Sequence, residues 1–239
     1  MLSNALRVAA GAALAAGLVT GCSDPAQTHS TAAPAPGPTA TPSAKLAGCQ
    51  FLPHTARGSK DVGTPPVKPP YTSSVNATLT TNLGTIELSL DGAKAPCTVG
   101  SFTYLAGKDF FDQTQCHRLT TGALKVLQCG DPTGTGSGGP AYKYAEENLP
   151  QAASGRQTAV YAEGTLGTAN AGPGTNGSQF FMVYGDSELP PNYTVFGKIT
   201  SGMNLLQQVA KDGSDNSNGE GDGAPKNAVT IQDVTIGNN

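Results

Sequence analysis

The residues best placed to do chemistry lie in the run Leu166-Gly167-Thr168-Ala169-Asn170-Ala171-Gly172-Pro173-Gly174-Thr175-Asn176-Gly177-Ser178-Gln179-Phe180-Phe181. Gly and Pro break a helix there, and Asn and Ser compete for its backbone hydrogen bonds. A flexible linker has no use for an amide followed at once by two aromatic rings. The run therefore reads as a shaped loop, with backbone N–H and C=O groups that grip an extended ligand over an apolar floor from Phe180 or Phe181. An apolar site with a few placed polar groups suits a peptide side chain better than a phosphate or a metal. Other chemistries find little support. The five Cys include no Cys-x-x-Cys pair, which argues against thiol redox catalysis. Only His29, His54 and His117 are available to a zinc site. The acidic run 212–223 carries Asp212, Asp215, Glu220 and Asp222 but lacks the spacing of a calcium loop, so a solvated loop is expected. With 13% charged residues and a net charge of −3, there is no electrostatic footprint for nucleic acid.

Composition shifts along the chain point to an export route. Arg7 and the chain amine form a positive start, followed by an Ala-rich apolar stretch from Val8 to Val19, too short for an ordinary membrane span. Val19-Thr20-Gly21-Cys22 resembles a bacterial lipobox, with residues 1–21 removed as a signal peptide. That resemblance implies lipidation of Cys22 with palmitate-type acyl chains and an extracytoplasmic location at the cell membrane. Two or more chains anchor far more durably than one. Residues 22–47 are rich in Thr, Pro and Ala and read as a semi-extended tether. Residues 48–74 form a Pro-rich extension that Cys49 and Phe51 pin to the body. In an oxidising compartment Cys49, Cys97, Cys116 and Cys129 allow two disulfides in three connectivities.

The elements that must position the loop begin at Val75. Alternation over 75–81 and 85–90, with Asn82-Leu83-Gly84 between, predicts a hairpin. Further short strands are expected at 126–129, 159–161, 180–184, 193–199 and 229–236. Helices are expected over 97–106, between Pro96 and Gly107, and over 203–210. Many short strands, Gly-rich connections and two helices make a mainly β protein, a closed antiparallel barrel over residues 75–239.

With Asp109-Phe110-Phe111-Asp112, Cys116-His117-Arg118, Gln128-Cys129-Gly130-Asp131, the loop above and Val195-Phe196-Gly197-Lys198 all in order, the chain resembles the cyclophilins, a family of peptidyl-prolyl cis–trans isomerases. The resemblance implies an eight-stranded closed barrel capped by two helices, with a groove for proline-containing peptides and unfolded exported proteins. Rotation about an X–Pro bond faces a barrier of ~18–20 kcal/mol. It breaks no covalent bond, so no metal or cofactor is expected; the catalyst must bind the twisted amide best. The resemblance implies that Arg118 donates to the pyramidal proline nitrogen. It assigns Gln128 and Gln179 to hold the substrate backbone and orient the Arg, Ala169 and Asn170 to pair with the peptide, and Phe181 to floor the proline pocket. Phe180 then faces the core. His117 is expected to be structural, since no proton is transferred.

Several positions depart from the family pattern. Arg118 to Gln128 spans two residues more than in the best-known cyclophilins, which leaves Val126 as the expected pocket wall and Leu127 as a core residue. Leu189 stands where many members have a Trp used by cyclosporin, so weak binding of that drug is expected. Tyr193 replaces a rim His. By strand parity Cys116 shares the face of Arg118 while Cys129 lies opposite Gln128, so a direct bridge would need a bulge, and bridges through Cys49 or Cys97 stay open. The chain is expected to work as a monomer. A peptide-binding module or chaperone without significant isomerase activity is the alternative; retention of Arg118 favours the enzyme. A solute-binding lipoprotein lacks the expected two-lobed α/β pattern.

Overall fold

Period-two alternation sets the first strand pair of the computed structural model, which describes residues 48–237. β1 (Ser74–Thr81) and β2 (Gly84–Asp91) pair antiparallel, from Ser74 opposite Asp91 to Thr81 opposite Gly84. Val75, Ala77, Leu79, Ile86, Leu88 and Leu90 all turn inward and are buried. The turn is closed by Gly84 at φ 137°, a conformation that L side chains rarely adopt. α1 (Pro96–Ala106) starts on Pro96, but its N-cap residue Ala95 offers no side-chain acceptor. The Glu147 carboxylate takes that role, accepting from the Cys97 and Thr98 amides (3.1 and 2.9 Å) and from Thr98 Oγ1 (3.0 Å). A negative charge there also suits the positive end of the helix.

The main sheet is completed by β3 (Thr114–Gln115), β4 (Arg118–Thr121), β5 (Lys125–Cys129), β6 (Thr165–Thr168), β7 (Phe180–Val183), β8 (Val195–Ser201), β9 (Asp222–Gly223) and β10 (Thr230–Ile236). α2 (Met203–Asp212) lies between β8 and β9 in sequence and buries Leu206 and Val209. The strand order is β9-β4-β5-β7-β6-β8-β2-β1-β10-β3. Phe102, Phe111, Phe180 and Phe196 meet at the centre of the core, with ring centroids 5.1 to 5.9 Å apart. The architecture is mainly β with two helices, as expected.

Closure of the barrel is not as expected. The sheet is curled and has ten strands rather than eight, and no ladder joins its two edges among the described residues. The reason lies at Cys116 and His117. An uninterrupted strand here would carry β10 directly onto β4. Instead the regular strand is interrupted at these two residues, where only the Cys116 amide still reaches the Val229 carbonyl (2.9 Å), so β10 pairs with the two-residue β3 while β4 pairs with β5 and β9. Residues 116–117 link β3, one edge of the sheet, to β4, which lies one strand in from the other edge.

The same break settles the disulfides. Cys116 and Cys129 are bonded, with Cα atoms 3.9 Å apart and both side chains buried. Strand parity would set them on opposite faces, but parity holds only along a continuous strand; the break turns Cys116 inward beside Cys129. The second bridge is Cys49–Cys97. It fixes the N-terminal extension beside α1. Leu52–Pro53 then pairs with Tyr142–Lys143, and Ser59–Lys60 runs parallel to Gly139–Pro140. Phe51 packs edge-on against Tyr142 and Tyr144 at 5.3 and 5.5 Å.

Candidate functional site

Register places the key side chains in one row. Arg118 lies opposite Gln128, Gln128 opposite Phe181, and Phe181 opposite Gly167, so the row crosses β4, β5, β7 and β6. Residues directly opposite share a face of the sheet. Phe180, one residue earlier, packs into the main core against Phe102 and Phe111. Phe181 turns the other way, into a second apolar cluster with Val126, Ala159, Tyr161 and Val183, against which Ala169, Leu189 and Tyr193 pack. Leu127 sits in the main core. The structure thus gathers Val126, Phe181, Ala169, Leu189 and Tyr193 around one apolar surface, with Arg118 and Gln128 along the same row.

Arg118 is half-buried and its orientation is fixed from an unexpected side. Nε and Nη2 donate to the two carboxylate oxygens of Asp222, at 2.8 and 2.6 Å. Such a fork is geometrically specific and stronger than a neutral pair. It holds one edge of the guanidinium, and three of the five N–H donors stay available for a substrate. The hydrogen bond from Arg118 holds the Asp222 carboxyl below its ordinary 3.8, and in return Asp222 raises the Arg118 pKa further. No hydrogen bond joins Gln128 or Gln179 to Arg118 among the described residues. Gln128 Nε2 donates to Gln179 Oε1 (2.9 Å), and Gln179 Nε2 donates to the Gly136 and Gly138 carbonyls. Gln179 holds Gln128 and the 136–138 loop, leaving Gln128 as the amide that faces the row.

The acidic run is likewise more than a solvated loop. Asp222 faces Arg118, and the Asp215 carboxylate accepts from the Ser217 and Ala224 amides of its own turn.

The apolar surface depends on close backbone approach. A Cβ added to Gly167 would meet the Phe181 ring at 2.4 to 2.9 Å, so only Gly lets the ring lie flat on β6. Gly167→Ala is expected to cost about 1–3 kcal/mol through overpacking and to raise KM by displacing the ring. Urea denaturation and peptide titration measure the two effects separately. Tyr161 backs the surface, edge-on to Phe181 at 5.9 Å and near Tyr193 at 6.3 Å. Its hydroxyl donates to the Tyr193 carbonyl and accepts from the Tyr193 amide, and burial pushes its pKa up to about 12. Tyr193 is therefore pinned at the rim.

The opening loop offers backbone on the other side. Asn170 ties the loop to the rim: its Nδ2 donates to the Asn192 carbonyl at 3.0 Å, and its Oδ1 accepts from the Gly172 amide within the loop. No hydrogen bond among the described residues engages its own backbone N–H or C=O. The Ala169 N–H, by contrast, is taken by the Gln179 carbonyl at 2.9 Å. Glu146 clamps the loop tip through the Gly174 amide.

His117 stands beside Arg118, yet its two ring nitrogens have no hydrogen-bond partner among the described residues. Burial lowers its pKa below the ordinary 6.5, outweighing the pull of Asp131 in the other direction. A neutral, unpartnered ring moves no proton for the substrate. The rate is therefore expected to stay level from about pH 8 to about pH 5. It should fall only when pH drops below the ordinary carboxylate range and Asp222 takes a proton, because a depressed carboxyl pKa protects the ion pair above that range and loses it below. Stability has a different window. The unfolded chain takes up a proton at His117 that the buried ring resists, so stability should decline as pH falls below about 6.5. A pH–rate profile with an inflection between about pH 6 and 7 would contradict this division.

A cavity of about 630 Å³ beside α2, between Leu83 and Leu205, holds none of these residues.

A curled β sheet with two helices and this Arg–Gln–Phe row define a protein class. The family model described as cyclophilin type peptidyl-prolyl cis-trans isomerase/CLD matches residues 76–236, and the chain belongs to that family. Among its relatives, the probable peptidyl-prolyl cis-trans isomerase B of Mycobacterium leprae is 45% identical over 214 residues, covering 83% of this chain and 70% of the relative. The probable isomerase B of Mycobacterium tuberculosis is 46% identical over 216 residues, covering 84% and 68%. Among solved structures, a Cryptosporidium parvum cyclophilin type isomerase, crystallised in the presence of the dipeptide Ala-Pro, superposes with a TM-score of 0.56 at 30% identity, covering 69% of this chain and 99% of that one.

Sequence reasoning missed Asp222, Tyr161 and the extension residues near the groove. Tyr161 had a signal, since it ends a strand whose alternation buries Ala159 and Tyr161 and exposes Val160. Asp222 had none: it lies 104 positions from Arg118 in an apparently ordinary acidic loop.

Proposed function

We propose that the protein accelerates cis–trans rotation of X–Pro bonds in exported proteins by stabilising the twisted amide. The proline ring rests on the surface of Phe181, Val126, Leu189 and Tyr193. The free backbone of Asn170 and the Gln128 amide hold the chain on either side. Arg118, its other edge clamped by Asp222, donates to the proline nitrogen as that nitrogen becomes pyramidal. Such a donor is bound more strongly in the twisted state than in either planar one, which is what acceleration requires. The observation that carries the reading is the half-buried, bidentate-held Arg118 in one row with Gln128 and Phe181. A module that only bound peptides would have no need of a fixed cation beside the proline surface.

The experiment is refolding of a substrate chain whose slow phase is X–Pro isomerisation, a process of tens of seconds without catalyst. The slow phase should shorten in proportion to added protein; an unchanged slow phase would exclude the activity.

The location belongs to the same proposal. Cys22, residues 1–21 and the tether lie outside the described residues. The lipobox-like Val19-Thr20-Gly21-Cys22 supports lipid attachment at Cys22 and action at the outer face of the cell membrane. Cys22→Ser should move the protein from the membrane fraction to the soluble one. We also propose a monomer that binds cyclosporin weakly, because Leu189 offers less surface than an indole and no N–H donor.

A further inference from the structure

Arg118 is the first residue of β4, and Gln128 is the last but one of β5. The pair therefore sits at the open end of its hairpin, where strands are prone to fray. On the other side β9 pairs only with Leu119 and Thr120, so no strand backs the Arg118 main chain there. His117, the residue before it, has no hydrogen bond through ring or main chain among the described residues.

One covalent link spans that gap. The Cys116–Cys129 bridge ties the residue two before Arg118 to the residue just after Gln128. An unbroken ladder would set His117 opposite Cys129. The bridge brings Cys116 there instead, with Cα atoms 3.9 Å apart, and leaves His117 as the extra residue. An extra residue in one strand bends it and re-aims its side chains, a device found beside active sites. Both sulfurs lie in the main core, and Cys129 is opposite Phe180, whose ring faces that core. The bridge grips the row from behind and touches nothing in the groove.

The second tie on Arg118 pulls elsewhere. Asp222 belongs to β9, which flanks β4 on the side away from β5. Without the bridge, Arg118 would stay with Asp222 while the start of β4 parts from β5.

We propose that Cys116 and Cys129 are a positioning pair for the isomerase site: their bridge stands in for the ladder lost at 116–117 and holds Arg118 in register with Gln128 and Phe181. The inference rests on the isomerase reading above. It is tested in the full chain with Cys116→Ala/Cys129→Ala, by kinetics and by backbone relaxation. Removing the bridge should lower kcat about ten- to a hundredfold, the scale for misplacing a reacting group by about 1 Å, with KM within about twofold of wild type. KM is spared because Val126, Phe181, Leu189 and Tyr193 cluster without either Cys. The order parameter of the Arg118 amide should fall from the rigid value of about 0.85 towards about 0.6.

Two further arms separate positioning from general support. In an Arg118→Ala background, loss of the bridge should change kcat by less than about twofold, because residues that act through one another are not additive. In Cys49→Ala/Cys97→Ala, dithiothreitol should open the Cys116–Cys129 bridge with its sulfurs still in place. That treatment should reproduce the loss of kcat, and reoxidation should restore it. An unchanged kcat without the bridge, a loss carried by KM, or the same factor lost with and without Arg118 would each overturn the proposal. An Arg118 backbone equally rigid in both states would overturn it even in a protein that accelerated no rotation. A backbone loosened by loss of the bridge, in a protein that accelerates nothing, would end the isomerase reading and leave the bridge as the support of the row.

Discussion

Arg118→Ala is expected to lower kcat/KM for an X–Pro peptide by roughly 10²–10³-fold, the scale for removing one donor aimed at developing charge. The loss should lie in kcat. Val126, Phe181, Leu189 and Tyr193 form their own apolar cluster without help from Arg118, so the proline surface survives and peptide affinity should change little. Arg118→Lys should lose most of the rate as well. Lys keeps the charge but cannot hold both Asp222 oxygens with one edge while donating from the other. Folding should not be the cause of the loss, because Arg118 is half-buried and its side-chain hydrogen bonds among the described residues go to the part-exposed Asp222 alone. The measurement is steady-state isomerisation alongside peptide titration by NMR. A variant within about threefold of wild type would remove Arg118 from the chemistry, since that ratio is well under the loss of one oriented donor.

Asp222→Asn should cost about tenfold in kcat and leave KM unchanged. The reason is orientation. A free Arg side chain has ~2 kcal/mol of rotamer entropy, and the bidentate pair at 2.8 and 2.6 Å confines it before substrate arrives. Asn keeps one acceptor oxygen and turns an NH2 donor toward the other guanidinium nitrogen, so the two-oxygen fork opens. Unfolding does not explain such an effect, because partly exposed ion pairs contribute little to stability. The melting temperature of the variant should accordingly stay close to wild type. The opposite sign is also informative. If Asp222 mainly neutralised the guanidinium and weakened it as a donor, Asp222→Asn would raise kcat. A second consequence follows from the depressed carboxyl: the acid limb of the wild-type pH–rate profile should disappear in Asp222→Asn.

Much of the site can be read locally. The Gly-rich run ending in Phe180-Phe181 carries its own signal, and β alternation sends the two rings to opposite faces, as found in β7. The hairpin of β1 and β2 is equally local, because Asn82-Leu83-Gly84 interrupts two alternating runs. What escapes is long-range. The Arg118 clamp depends on β9 folding back beside β4, a two-residue strand with no periodicity to detect. The Cys116–Cys129 bridge depends on a strand break, and parity arguments fail wherever a strand is interrupted. Sheet closure fails at the same two residues, so one local irregularity accounts for both departures. The extension is a third case: Cys49 and Phe51 mark it as docked, but only pairing of Ser59 with Gly139 places it beside the groove.

The central claim is that the chain turns peptide binding into bond rotation. Its most direct test is exchange between the cis and trans forms of an Ala-Pro peptide, followed by NMR at catalytic concentrations of the protein. The account predicts exchange faster than the uncatalysed rate by orders of magnitude, with an unchanged cis-to-trans ratio and with the gain lost in Arg118→Ala. Saturable peptide binding with exchange no faster than in buffer would contradict it and leave a peptide-binding module.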